Sequence, residues 1–106
     1  MFRVVIMYPK TNDSHFDMNY YLTHHIPMIR DIWRHTSLGK IEIDQGIANA
    51  APGQPVLYES ISYFYFEKIE DFQNGFMQRG GEIMGDIHNY TDVLPQIQID
   101  QVVIAQ

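Results

Sequence analysis

No cysteine occurs in the chain, which removes disulfides, thiolate nucleophiles and Cys-type zinc or iron–sulfur sites and leaves packing as the only support for the fold. Basic residues are scarce: Lys and Arg number 7 against 13 acidic residues, the formal charge is -6, and no Lys/Arg cluster appears anywhere. Nucleic acid and anionic membrane surfaces are therefore poor partners. No apolar run approaches the roughly 20 residues that span a bilayer, and the apolar start Met1–Tyr8 runs into Pro9, too short for a signal-peptide core. A cytoplasmic protein is expected. Neither G-x-G-x-x-G nor a Walker pattern is present, so nucleotide cofactors have no visible site, and Ser37, Ser60 and Ser62 sit in no G-x-S-x-G setting. The five histidines, His15, His24, His25, His35 and His88, form no i, i+4 pair and no H-E-x-x-H, which gives no metal site.

What the chain does have is apolar and aromatic mass. Its 106 residues are 45% apolar and include six Phe, seven Tyr and one Trp. A single domain of this size buries roughly 65% of the surface its unfolded form exposes. Phe2–Tyr8 reads as a strand ending at Pro9, and residues 10–14 as a loop. From Asp17, a candidate N-cap, a helical period runs through Tyr21, His25, Met28, Ile29, Ile32 and Trp33 toward Gly39, with Pro27 predicting a kink after the histidines. Ile41, Ile43, Gln45 and Ile47 mark a second strand and Tyr58–Phe66 a third. Ile69, Phe72 and Phe76 mark a second helix, expected to fray at Gly80-Gly81. Ile97, Ile99 and Val103 lie on one parity of a last strand.

The order β-α-β-β-α-β predicts a ferredoxin-like α+β domain over residues 1–106, a four-stranded antiparallel sheet with two helices on one face and strands one and three at its centre. Those two strands are apolar on both parities, while helices dry only one face. A homodimer through the other sheet face is the expected consequence.

For chemistry, the sequence points to His25. At about 100° per residue, Tyr21, His25, Met28 and Ile32 share roughly 60° of a helical face, placing a titratable imidazole in the apolar stripe. It reads either as a general acid or base or as a core histidine satisfied by a carbonyl or a tyrosine hydroxyl. Gly85–Asp92 supplies further polar groups: Asp86 to orient an imidazole and Tyr90 to donate to a ligand oxygen, with Asn89, Thr91 and Asp92 read as backbone caps. Tyr21, Trp33, Tyr63, Phe64, Phe72 and Phe76 are candidates to border a space between helices and sheet suited to a small apolar or aromatic molecule, with Met28 on the same stripe as His25.

Taken together, Tyr8-Pro9, Phe16–Tyr21, His25–Met28, Asp86, Asn89–Asp92, Pro95 and Gln98 resemble the EthD family, named for ethyl tert-butyl ether degradation, over nearly the whole chain. The resemblance implies a dimeric α+β barrel and singles out the histidine before the hydrophobic-Pro step, here His25. Relatives in the dimeric α+β barrel superfamily include cofactor-independent oxygenases of phenols, lactone isomerases, and decarboxylases or cyclases of polyketide-like compounds, and others bind haem through a histidine. The leading expectation is a homodimeric enzyme without metal, nucleotide or other cofactor, in which His25 moves a proton, Tyr21 and Tyr90 orient a substrate oxygen and Asp86 partners the imidazole. Met28, Trp33, Tyr63 and Phe72 are expected to help bind a hydrophobic catabolic intermediate. A non-catalytic ligand-binding or accessory protein is the alternative, and a haem-dependent redox protein the third.

Overall fold

The computed structural model describes residues 1–106. Strands β1 (Phe2–Pro9), β2 (Leu38–Gln45), β3 (Tyr58–Phe66) and β4 (Gln96–Gln101) form one antiparallel sheet in the order β2-β3-β1-β4. The two strands that are apolar on both parities are thus the central pair. Helical segments α1 (Met18–Tyr20) and α2 (Ile26–Ile32), joined by a π-helical stretch Tyr21–His25, make the first helix, and α3 (Ile69–Asp86) makes the second. A 3-10 turn, Ile87–Asn89, follows α3. No helix is long and apolar enough to cross a membrane.

Asp17 caps the first helix, its carboxylate accepting from the Tyr20 amide at 3.0 Å. The break expected at Pro27 takes the form of the π turn. Proline has no N–H to give the carbonyl four residues back, and the ladder widens just ahead of it, the Ile26 amide bonding to the Tyr21 carbonyl. The buried series therefore steps by four, Tyr21, His25, Ile29 and Trp33, and Met28 and Ile32 are only half-buried. The helix ends at Ile32, short of Gly39, which lies in β2. His35 takes a left-handed backbone in the connection, with φ 65°.

The second helix does not fray at Gly80-Gly81 but continues to Asp86. Gly80 is buried against the Phe76 ring, where a Cβ would come within 3.2 Å of Cδ1, so packing rather than termination places a glycine there. Gly75 lies under the Trp33 indole, whose N–H donates to the Asp71 carbonyl at 2.9 Å, and a Cβ at 75 would overlap that ring. Gly75→Ala is accordingly expected to destabilise by about 1–3 kcal/mol, read as a lower urea midpoint at unchanged m-value.

The core lies between the helices and one sheet face, with Val4, Ile6, Tyr8, Phe64 and Phe66 below and Tyr21, Ile29, Trp33, Phe72, Ile83, Ile87 and Tyr90 above or at the end. Two serines share the sheet side of this layer. Ser60 donates to the Asp44 carbonyl at 2.8 Å and Ser62 pairs with the Tyr21 hydroxyl at 2.7 Å, so neither buried hydroxyl is left unmet.

On the opposite face the register aligns Arg3 with Tyr65 and Asp100, Val5 with Tyr63 and Gln98, and Met7 with Ile61 and Gln96, while Glu42 and Asp44 lie beside Tyr63 and Ile61. The Arg3 guanidinium lies 5.1 Å from the Tyr63 ring centre and 5.9 Å from that of Tyr65, and Tyr65 donates to Glu42 at 2.6 Å. This face is an apolar centre with a charged rim, more polar than the residue pattern of β1 and β3 suggests, because Arg3 and the side chains of β2 and β4 share it.

Candidate active site

Two loops hold the site together. The Asp17 amide donates to the Tyr90 carbonyl at 2.7 Å, the His15 amide donates to Asp92 Oδ1 at 3.1 Å, and Thr91 Oγ1 donates to the His15 carbonyl at 2.7 Å. The entry to the first helix is thereby stitched to the exit from the second. Of the residues expected to cap backbone amides locally, Asp92 caps across this seam, Thr91 accepts weakly from the Val93 amide, and Asn89 turns to Asp86 instead.

Across the seam, His25 Nδ1 meets Asp86 Oδ2 at 2.9 Å. The other carboxylate oxygen, Oδ1, accepts from the Tyr20 hydroxyl at 2.7 Å and from Asn89 Nδ2 at 2.9 Å. A carboxylate held this way accepts from Nδ1–H, fixing the tautomer that leaves Nε2 with a lone pair. That nitrogen faces the Tyr90 hydroxyl at 3.4 Å, and Tyr90 in turn pairs with the Tyr8 hydroxyl at 2.6 Å. A chain of proton-bearing groups thus runs from Asp86, near the surface, through His25 and Tyr90 to Tyr8. Tyr21 stacks on the imidazole, ring centres 5.3 Å apart and nearly parallel.

Burial sets the charges. His25 is 3% exposed, and desolvation holds its imidazole below the usual histidine range against the opposing hydrogen bond and charge of Asp86. Desolvation pushes the Asp86 carboxyl up, but hydrogen bonds from Asn89, Tyr20 and His25 together outweigh it and keep it below its ordinary value. Burial raises the hydroxyls of Tyr8, Tyr21 and Tyr90, which stay neutral. At neutral pH the resting state is a neutral imidazole on an anionic carboxylate, a base with its conjugate charge already provided for.

This arrangement has a consequence for stability. The folded state binds the His25 proton less readily than the unfolded chain, whose histidines titrate near pH 6.5, so the unfolded state holds more protons just below that pH. The contribution is fully present above about pH 6.5 and is lost as pH falls through the lowered folded value; the depressed Asp86 acts in the same direction at lower pH. Denaturation midpoints are expected to fall between about pH 7 and pH 5, and His25→Gln is expected to flatten that fall.

The imidazole and Tyr8 form part of the wall of an apolar cleft between helices and sheet. Its other walls include Ile29, Trp33, Phe64, Phe72, Ile83 and Ile87, with Met84, Pro95 and Ile97 toward the half-exposed edge at β4. The empty space is about 440 Å³, counting the part open to solvent.

Of the residues expected from the sequence, His25, Asp86 and Tyr90 come together and Trp33 and Phe72 line the cleft. Tyr21 packs against the imidazole from behind, its hydroxyl taken by Ser62. Met28 is half-buried and packs against the core but does not line the cleft. Tyr63 is on the other sheet face, since neighbours on a strand point opposite ways and Phe64 faces the helices. Sequence reasoning missed Tyr8, Tyr20 and Asn89. Tyr8 shares parity with Val4 and Ile6, and Asn89 stands three residues past Asp86, signals that point to Tyr8 and Asn89 but do not say what they touch.

A ferredoxin-like α+β protein with a buried histidine paired to a part-buried aspartate at an apolar cleft is the class that fold and site define. The chain belongs to the EthD family, whose EthD domain matches residues 10–93. An EthD-like protein from Ralstonia eutropha is 33% identical, with 99% of this chain and 94% of that chain covered and a TM-score of 0.91. An ethyl tert-butyl ether degradation (EthD) family protein from Bacillus halodurans shares the fold at 15% identity, covering 95% and 97% of the two chains, TM-score 0.66. A dimeric ferredoxin-like protein from an uncultured marine organism does so at 13% identity, covering 100% and 98%, TM-score 0.51. No protein of curated function matches.

Proposed function

We propose that this protein is an acid–base enzyme for a small, largely apolar or aromatic molecule, with His25 as the proton-transfer group and Asp86 as the partner that orients it and stabilises the imidazolium. The observation that carries this reading is the imidazole on the wall of an apolar cleft, with Nδ1 bound to a carboxylate at 2.9 Å and Nε2 left as acceptor. No step of it requires a metal or nucleotide. Abstracting a proton from an enolisable or phenolic substrate is the step that isomerisation, cyclisation and cofactor-independent oxygenation share, and a catabolic role in the cytoplasm suits such a substrate. Haem does not fit the residues: Nδ1 is held by Asp86, and Nε2, the other imidazole nitrogen, faces the Tyr90 hydroxyl.

The working unit on this reading is a homodimer joined through the open sheet face, where Val5, Met7, Ile61 and Tyr63 lie inside a charged rim. Native mass spectrometry is expected to give the dimer mass, and Met7→Glu the monomer; a wild-type monomer contradicts this assembly.

The catalytic reading is tested with acetophenone in heavy water, following deuterium entry at the α-carbon by NMR. The wild type is expected to accelerate exchange and His25→Gln to leave the buffer rate. Equal exchange by the two proteins removes His25 from the chemistry, and retained ligand with no exchange by the wild type marks a binding protein instead.

A further inference from the structure

We propose that Tyr8 is the group through which the Asp86–His25–Tyr90 chain meets its ligand, and that this ligand is a small uncharged aromatic molecule carrying one hydroxyl or carbonyl group. The proposal deepens the acid–base reading and rests on it. Three observations carry it.

First, Tyr8 is among the residues that line the cleft and Tyr90 is not, so of the two paired tyrosines the one on β1 is the one a ligand there would meet. Second, the walls offer little else that is polar. The indole N–H of Trp33 is taken by the Asp71 carbonyl, and besides Trp33 only His25 and Tyr8 among the lining residues carry side-chain nitrogen or oxygen. A ligand with several polar groups would leave some of them unmet in a dry space, and no Lys or Arg stands there to meet an anion. Third, the Tyr8–Tyr90 contact at 2.6 Å runs in either direction. With Tyr8 donating to Tyr90, the Tyr8 oxygen can accept from a ligand hydroxyl; with Tyr90 donating to Tyr8, the Tyr8 O–H is released from Tyr90 and can turn to a ligand carbonyl.

For a phenol the transfer balances over three proton shifts. The ligand O–H proton moves to the Tyr8 oxygen as the Tyr8 proton moves to Tyr90 and the Tyr90 proton moves to His25 Nε2. The result is a ligand oxyanion and an imidazolium held by Asp86, with both tyrosines restored to neutral hydroxyls.

Phenol and toluene, which differ by a hydroxyl in place of a methyl group, separate this contact from packing. Calorimetric titration of the intact protein is expected to show binding of both and none of benzoate. Tyr8→Phe is expected to weaken phenol roughly five- to tenfold, the loss of about one hydrogen bond, and to leave toluene within about twofold. In Tyr90→Phe, phenol should still bind, but the change it induces in the His25 Nε2 resonance should vanish. The proposal is overturned if Tyr8→Phe weakens phenol and toluene alike, if it leaves phenol unchanged, if benzoate binds as well as phenol, or if the wild type binds neither aromatic. Loss of acetophenone exchange in His25→Gln without a selective phenol defect in Tyr8→Phe would leave the acid–base reading standing and remove Tyr8 from it.

Discussion

Asp86→Asn is expected to cut proton transfer from a cleft ligand by about 10²-fold or more while leaving ligand affinity nearly unchanged. The carboxylate does not line the cleft, so its loss takes no binding contact away. It does two things for His25: it fixes the proton on Nδ1, and it supplies the charge that an imidazolium needs in a buried place. An amide still accepts one hydrogen bond but carries no charge, so the protonated state formed during turnover becomes costlier. Asp86→Ala goes further, because the buried Nδ1–H then has no acceptor, and a stability loss of about 1–3 kcal/mol is expected beside the loss of activity. Comparing deuterium exchange and ligand affinity in the two variants separates these effects: equal activity in wild type and Asp86→Asn would mean that the pair is structural.

Trp33→Ala is expected to cost about 3–5 kcal/mol, enough to lower the melting temperature by roughly 15 °C or more for a domain of this size. Trp33 is 4% exposed, stacks on Phe72 with centres 5.5 Å apart, meets Phe66 edge-on at 5.9 Å and ties the two helices through its N–H to Asp71. Its removal opens a cavity continuous with the cleft, so part of the lost stability should return when toluene is added. A melting temperature within a few degrees of wild type would show that the helices hold together without it.

How far the sequence carried this description varies by element. The third strand reads directly as Tyr58–Phe66, an aromatic-rich run that follows the Pro- and Gly-bearing residues 50–55. The central placement of β1 and β3 followed from the β-α-β-β-α-β order. The helices were less legible, since glycine and proline act locally through what they touch. Gly80 serves Phe76 and Gly75 serves Trp33, neither contact being visible in a helical period. Pro27 signalled a disturbance but not that a widened turn would absorb it.

The site was half legible for the same reason. His25 stood out on an apolar stripe and Asp86 as an acid in a polar loop, yet 61 residues separate them, and their meeting depends on the seam between residues 15–17 and 90–92. Tyr8 was hidden because a strand residue on the core parity reads as packing. Its hydroxyl gains meaning only once Tyr90 is known to lie opposite.

The most direct measurement is a pH titration of the His25 ring nitrogens by NMR, in the wild type and in Asp86→Asn. A neutral Nδ1–H tautomer, a midpoint below about 6.5 and a further fall in Asp86→Asn are the predicted results, since removing the carboxylate leaves burial unopposed. A wild-type midpoint at or above the ordinary value, or a proton resting on Nε2, would contradict the account of His25 as a neutral base oriented by Asp86.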